Sequence, residues 1–507
     1  MKAIIIGSGI AGLTAGAYLI QEGFEVIIYE QFHEIGGVTA TIHQNGYSWD
    51  IGPLLLEGFA PHEKFGKMLQ ELGIYDKIEV IQEDRGQSFP DFQVWRPDKY
   101  EGPYWRKELF KKLFPEEREG IERYYEFYDR MMTLVYLSNQ LPYVKGIKAL
   151  GIKLKLFPKM LKVRKFKDWS GAQIIDYFFT NEKLKAVYLG ILADMVVKPS
   201  EFQGLGIPLT NVETAFDKRI PIDFKWGKFP VYHYIRNGCG ELVKAFADYI
   251  TEGGGKIYTN NKVTKIIIEE NLVKGVKLEN EKFAEADVIL ASGGIFNTFY
   301  NLVGKEYLPE DLIRNIEGIK LMESVFMVHL GIDFDPSRFQ KAALCYYYLT
   351  YDIEGAIEKM REGYYHEGAE GFLIYIPSMH SPDMAPPGKH SVTIYTVGPH
   401  KLKEGTWDDN REEFADKLIM EAEKIIPGLY EGSETKVIMT PDDFKERINV
   451  LRHSFGGTAP VLWQKNPPHK TPIKGLWYIG AYSESGGGVT GAAFGARNVV
   501  KEIIKEK

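Results

Sequence analysis

Cysteine is scarce: Cys239 and Cys345 are the only two in 507 residues. Two thiols cannot build a disulfide framework, so the composition points to a reducing compartment and a cytoplasmic protein. Neither lies in a Cys-x-x-Cys, and no group of His and Cys has metal-ligand spacing, so no metal is expected. Long apolar runs are missing too. No stretch of about 20 apolar residues is free of charges and glycines, which excludes a spanning helix. Charge of one sign is also lacking: 62 Lys and Arg against 69 Asp and Glu leave −7, which argues against nucleic acid as a partner. Internal repeats and low-complexity segments are absent. The remainder is ordinary for globular domains, with 44% hydrophobic and 26% charged residues. At about 100–200 residues per domain the length allows two or more. The 30 Tyr and 29 Phe suit either a large core or a long apolar cavity.

Glycine is plentiful, and its placement carries information. The chain opens MKAIIIGSGIAGLTAGAYLIQEGFEVIIYE. A short positive start before apolar residues is how a secretory signal begins, but a signal's apolar region is featureless up to its cleavage site. Here a β-branched run at 3–6 reads as a buried parallel strand. Gly7, Gly9 and Gly12 follow in G-x-G-x-x-G spacing, then a helix carrying Ala11, Leu13, Ala15, Ala17 and Leu19, a second strand at 24–29, and Glu30. Gly7 permits the turn, Gly9 lets the backbone approach a pyrophosphate, and Gly12 lets helix and strand pack closely. The helix start offers unpaired N–H groups and a positive dipole end. Glu30 can accept hydrogen bonds from both ribose hydroxyls. This is a dinucleotide cradle.

Further glycine-rich pieces make the dinucleotide larger than a nicotinamide one. QFHEIGGVTATI follows Glu30, with Gly36 and Gly37 paired, and NGYSWDIGPLLLEG adds a turn at Asn45-Gly46, Asp50, and a Gly52-Pro53 bend. Near the far end, a strand at 476–479 leads into Gly486-Gly487-Gly488 and a small-residue helix beginning near Thr490. A second glycine-rich helix start suits the negative charge that develops on a reduced flavin. Between these, Leu242, Phe246 and Ile250 have helical spacing, Gly253-Gly254-Gly255 ends that helix, and strands are expected at 256–258, 263–269, 273–278 and 287–291. The backbone at Val263 can pair with an adenine edge.

In this order the pieces resemble the FAD-dependent oxidoreductases of the phytoene desaturase and retinol saturase type, within the amine-oxidase-like flavoprotein group. The motifs that carry the resemblance are GSGIAGLTAG with Glu30, GGVTATIHQNGYSWDIGP, the N-G-x-G-x-L helix with GGGKIYTNNKV, and YIGAYSESGGGVTGAAFGA; FPEEREGIERYYEFY and PSMHSPDMAPPGKHSVTIYT extend it outside the cofactor half. The resemblance implies an α/β fold: a discontinuous Rossmann-like FAD-binding domain at 1–90, 228–300 and 455–507, with an inserted α+β substrate domain from 91–227 and 301–454. It implies FAD contacts at Gly7, Gly9, Ile10, Ala11, Gly12, Glu30, Gln31, Gly36, Gly37, Val38, Thr39, Pro53, Leu54, Val263, Gly480, Ala481, Gly488 and Val489. The family often has Arg after the paired glycines, where this chain has Val38. Amine oxidases often have an acid two residues after the late-strand glycine, where Gly480 is followed by Ala481 and Tyr482.

The activity implied is hydride transfer between a flavin and a carbon of an apolar isoprenoid or polyene, as desaturase, saturase or isomerase; the sequence does not set the direction and marks no catalytic acid or base. The alternatives are a flavin amine oxidase and a non-catalytic prenyl-binding protein like the Rab GDP-dissociation inhibitors. The intact glycines and Glu30 argue against the last, because a protein without flavin has no use for them.

The segment LPYVKGIKALGIKLKLFPKMLKVRKFK, 141–167, has nine Lys and Arg and no acid. Ile147, Leu150, Leu154, Phe157 and Leu161 repeat at helical spacing. Such a stretch can lie in a membrane interface with cations against anionic lipid, giving peripheral contact. The competing reading is a surface helix whose apolar stripe faces the core and which Pro158 would break. His33, His329, His390 and His453 show no triad or metal spacing and read as ordinary structural residues; the alternative for His453, with Arg452, is a place facing the flavin.

Overall fold

The computed structural model describes residues 1–506 other than Glu83, Trp226 and Phe455. Those three and Lys507, which fall inside the expected domain ranges, lie outside the described residues. The opening motif folds as strand Lys2–Ile6, helix Ile10–Gln21 and strand Glu25–Tyr29. These two strands sit inside a five-stranded parallel sheet whose order is Lys256–Tyr258, Glu25–Tyr29, Lys2–Ile6, Val288–Ser292 and Leu476–Ile479.

Alternation along these strands sorts side chains to opposite faces. Ile5, Ile28, Leu290 and Ile479 pack against helices Ile10–Gln21, Gly240–Glu252 and Val489–Glu506 through Leu13, Phe246 and Ala496. Ile4, Ile27, Ile289 and Tyr478 pack on the other face against Ile266 and Val276. That second layer is the antiparallel sheet of Val263–Glu269, Leu272–Leu278 and Phe283–Glu285. Each fully buried Ile or Leu contributes about 1.5–3 kcal/mol, so sequence alternation accounts for the three layers.

A seven-stranded sheet forms the second body. Its order is Ser433–Met439, Ser324–Ile332, His390–Gly398, Gly371–Tyr375, Leu344–Tyr348, Arg85–Ser88 and Gln93–Val94. One face (Phe326, Val328, Ile374, Ile394) is covered by helix Trp407–Glu423. The opposite face (Val325, Met327, Tyr346, Leu373, Tyr395) turns toward helices Arg118–Gln140, Gly171–Phe178, Glu182–Leu189 and Ile191–Asp194.

Segment 141–167 departs from the sequence reading in two ways. Helix Gly146–Val163 runs through Pro158, which is exposed; the carbonyl left without a proline N–H belongs to Leu154, a residue 67% exposed, where solvent can serve it. And the helix is apolar on both sides. Leu156 and Val163 are buried, whereas Ile147 (89% exposed), Leu154 and Phe157 (64%) face solvent together with Leu150, Met160 and Leu161. The stripe that the sequence singles out does not face the core.

Candidate functional site

Backbone crowding builds the cradle. The first strand ends at Gly7, φ +94°, where an added Cβ would lie 2.6 Å from the Ser292 carbonyl oxygen. At Gly12 a Cβ would lie 2.1 Å from the Gly7 carbonyl oxygen, so only glycine lets the helix come this close. Gly9 has no heavy atom within 4 Å of its would-be Cβ. It opens onto a cavity. No side chain caps the helix, and its first turn has no acid, so its N–H groups are left for an anion. Glu30 closes the far side. Its Oε2 accepts from Ser8 N at 2.8 Å and Ser8 Oγ at 2.7 Å, and Oε1 from Phe32 N at 2.9 Å. These bonds fix the carboxylate, which has further acceptor sites to present.

The cavity holds about 640 Å3 and is continuous from this cradle to the seven-stranded sheet. Gly7, Gly9, Ile10, Ala11, Glu30 and Gln31 line its first part, and Gly36, Gly37, Val38 and Thr39 follow. Pro53, Leu54, Val263, Gly480, Ala481, Gly488 and Val489 line it further along. Of the expected cofactor residues, Gly12 alone is not in the lining; its place is the helix–strand contact. The late glycine loop is held by another close approach, since a Cβ at Gly487 would lie 1.9 Å from the Gly456 carbonyl oxygen. Asp50 braces the loop before Pro53: Oδ1 accepts from Thr41 Oγ1 at 2.6 Å and Cys239 N at 2.8 Å. Burial raises its pKa to about 6 against those bonds.

One residue of the cavity wall was not legible with the cradle. Arg447 reaches it from 410 residues away, donating from Nε to the Gly37 carbonyl oxygen at 2.8 Å. Its Nη2 pairs with Glu34 at 3.0 Å, and the guanidinium lies 4.6 Å from the Phe32 ring centroid. The cation absent from position 38 is therefore delivered beside the paired glycines by another part of the chain. His453 lines the same cavity, stacked on Phe444 at 5.0 Å. Both of its ring nitrogens are buried with no hydrogen-bond partner among the described residues. Burial lowers its pKa to about 3, so it is neutral, with one donor and one acceptor. An orphaned imidazole, an uncapped helix end and a glycine-walled groove fit an extended polar ligand such as FAD. Arg452 is engaged elsewhere, paired with Glu323, which also accepts from His400 N at 2.9 Å. The other histidines are structural: His329 bonds Thr393 at 2.9 Å, His390 bonds Ser378 at 3.0 Å, and His33 is exposed.

Beyond the cradle the wall becomes apolar. Met322, Val325, Leu373, Ile191 and Met195 line it, with Tyr346 and Tyr395. Register places Met327, Tyr395, Leu373, Tyr346 and Gln87 in one cross-strand row. Arg85 and Asp194 are the charged side chains of this half. Burial raises Asp194 to about 7, opposed by the Arg85 charge and a hydrogen bond from Tyr346. Among the described residues no group of His, Cys, Asp and Glu could hold a metal ion, and no helix is long and apolar enough to cross a membrane.

Comparison with known proteins agrees with this geometry. The family model described as flavin containing amine oxidoreductase matches residues 10–504. Prolycopene isomerase 1, chloroplastic, of an Oncidium hybrid cultivar is 26% identical over 97% of this chain and 82% of its own length. The lycopene-forming phytoene desaturase of Pseudescherichia vulneris is 22% identical over 100% of this chain and 99% of its own. A putrescine oxidase variant with redesigned cofactor binding superposes with a TM-score of 0.64 at 12% identity, covering 100% of this chain and 99% of that one. The chain belongs to the flavin containing amine oxidoreductase family, and it is an FAD-dependent oxidoreductase.

Proposed function

We propose that the protein transfers hydrogen between FAD and a carbon–carbon bond of an apolar isoprenoid or polyene. In this reading segments 1–90, 228–300 and 455–507 hold most of the cofactor and 91–227 with 301–454 most of the substrate, with two crossings of that division: Arg447 and His453 reach the cofactor groove, and strand Arg85–Ser88 belongs to the seven-stranded sheet over the chamber. The supporting observation is the continuity of a polar, glycine-walled groove with an apolar chamber under the seven-stranded sheet. Bound FAD supplies two-electron exchange with a substrate carbon. The chain's own residues bind and orient. The helix starts at Ile10 and Val489 turn N–H groups and positive dipole ends toward the cofactor's negative charge. Glu30 accepts from ribose, and Arg447 and His453 bond polar edges of the cofactor. Met322, Val325 and Leu373 exclude water from the reacting bond. Both carotenoid-metabolising relatives match along nearly the whole of this chain, including the part that roofs the chamber.

The same reading explains helix Gly146–Val163. Its outward stripe, flanked by the nine cations of 141–167, fits an anionic bilayer from which an apolar substrate would be drawn. The test is anaerobic titration of the yellow holoenzyme. Bleaching by a polyene hydrocarbon or alcohol, with no response to primary amines, is the expected result. Bleaching by amines alone, with peroxide release in air, would replace this reading with an amine oxidase.

A further inference from the structure

Resting on the reading of hydrogen transfer at a carbon–carbon bond, we propose that Glu57 is a catalytic residue, the base that takes a proton when the flavin takes the hydride. Glu57 ends the short strand Leu56–Glu57 and lines the cavity. Its place is fixed from two sides. The Thr490 hydroxyl, in the first turn of helix Val489–Glu506, donates to the Glu57 carbonyl oxygen, and a Cβ at Gly58 would lie 2.9 Å from that hydroxyl oxygen. This ties Glu57 to one of the two helix starts assigned to the cofactor. Across the strand pair stands Tyr232, whose hydroxyl donates to the Leu209 carbonyl oxygen at 3.2 Å and whose ring centroid lies 5.6 Å from the Arg85 guanidinium on the chamber wall. Glu57 therefore stands where groove and chamber meet. The residue is exposed, yet burial pushes its carboxyl up, against the Lys64 charge and the Tyr232 hydroxyl. Open surface and an enclosing wall coexist where a side chain projects into a cavity.

The chemistry needs such a group. Forming a double bond breaks two adjacent C–H bonds. One hydrogen leaves with its electron pair, as hydride, to the flavin. The other leaves as a proton to the Glu57 carboxylate, and its electron pair becomes the π bond. The substrate is oxidised by two electrons and the flavin reduced by two; run backward, the protonated carboxyl supplies the proton of a saturation. A carboxylate also suits the electrostatics. Negative charge leaves Glu57 as negative charge arrives on the flavin, so the enclosed site holds one such charge before and after, and no additional charge has to be buried. Glu30, the carboxylate at the other end of the groove, is held by Ser8 and Phe32. Burial brings the Glu57 carboxyl toward the range in which a carboxylate works as a base near neutral pH.

The experiment is anaerobic stopped-flow bleaching of the holoenzyme at saturating FAD, with phytoene and geranylgeraniol in the same detergent as probes. Glu57→Gln keeps the shape of the side chain and removes the base. Its maximal bleaching rate is expected to fall at least about 100-fold, while the half-saturating probe concentration and the FAD dissociation constant from flavin fluorescence each stay within about threefold. The ionisable groups packed against Glu57 are Glu63 and Lys64 from the following segment and Tyr232 across the strand pair; helix Val489–Glu506 brings no acid in its first turn. In the unaltered protein the rate should decline as pH falls and the carboxyl takes its proton from solvent. That acid limb should be absent in Glu57→Gln and kept, at a lower plateau, in Glu57→Asp. A smaller fall in Glu57→Gln, or an acid limb that survives in it, overturns the base and leaves the polyene reading standing. A rate loss matched by an equal weakening of FAD binding assigns Glu57 to the cofactor and overturns the base as well. Bleaching of the unaltered protein by neither probe overturns both.

Discussion

Leu154→Glu separates two meanings of the outward stripe on helix Gly146–Val163. Leu154 is 67% exposed, so about two thirds of the ~1.5–3 kcal/mol for burying a leucine is available to a membrane and not already used in the fold. Losing it costs membrane affinity about 1–2 kcal/mol. A new carboxylate near anionic lipid removes about a further 1 kcal/mol. The sum, about 2–3 kcal/mol, is a roughly 30- to 140-fold weaker partition. Folding stability should change by less than about 0.5 kcal/mol, because the side chain leaves no core contact behind. Sedimentation with phosphatidylglycerol vesicles at fixed low salt measures the first quantity, and thermal unfolding of the same samples the second. Undiminished sedimentation would show that the stripe does not touch lipid. A lowered melting temperature with unchanged sedimentation would show that it packs against protein.

Arg447→Met should weaken FAD binding by about 10- to 100-fold, the value of one hydrogen bond to a charged partner of about 1.5–3 kcal/mol, with Arg447→Lys intermediate; FAD retained through gel filtration and the dissociation constant from flavin fluorescence check this, and full retention by Arg447→Met refutes it. Gly12→Ala should cost at least about 1–3 kcal/mol by overpacking, since its methyl would lie 2.1 Å from the Gly7 carbonyl oxygen; a lower melting temperature with loss of colour is expected, and a yellow protein of unchanged stability would refute the close helix–strand contact. His329 is held neutral by burial, its pKa lowered to about 3. Its neutral form's contribution is complete above the ordinary value near 6.5 and is lost as pH falls toward 3, by about 1.4 kcal/mol per pH unit. Urea midpoints between pH 7 and pH 5 should therefore fall less steeply in His329→Gln, and identical slopes would refute this.

The cradle was legible because its determinants are local. Gly7, Gly9, Gly12 and Glu30 lie within thirty residues, and their spacing alone specifies strand, turn, helix and strand. The late strand at 476–479 and its glycine loop were legible for the same reason. What the sequence could not show is what only topology joins. Arg447 meets Gly37 through a contact that no spacing encodes. Periodicity in 141–167 marked an amphipathic helix but not which side faces outward, because both sides are apolar. Pro158 misled for a physical reason: the carbonyl that a proline leaves unbonded is costly where it is buried, and here it belongs to an exposed residue.

The five-stranded parallel sheet has a consequence for biogenesis. Strand Glu25–Tyr29 is made about 450 residues before the outermost strand on the other side, Leu476–Ile479. At 5–20 residues per second that is a delay of roughly 20–90 s. Through this interval the first strands expose apolar faces and unpaired edges, the condition that invites aggregation. Until that late strand and its glycine loop are made, the sheet lacks its last strand and the cofactor groove one of its walls, so complete cofactor capture must follow their synthesis.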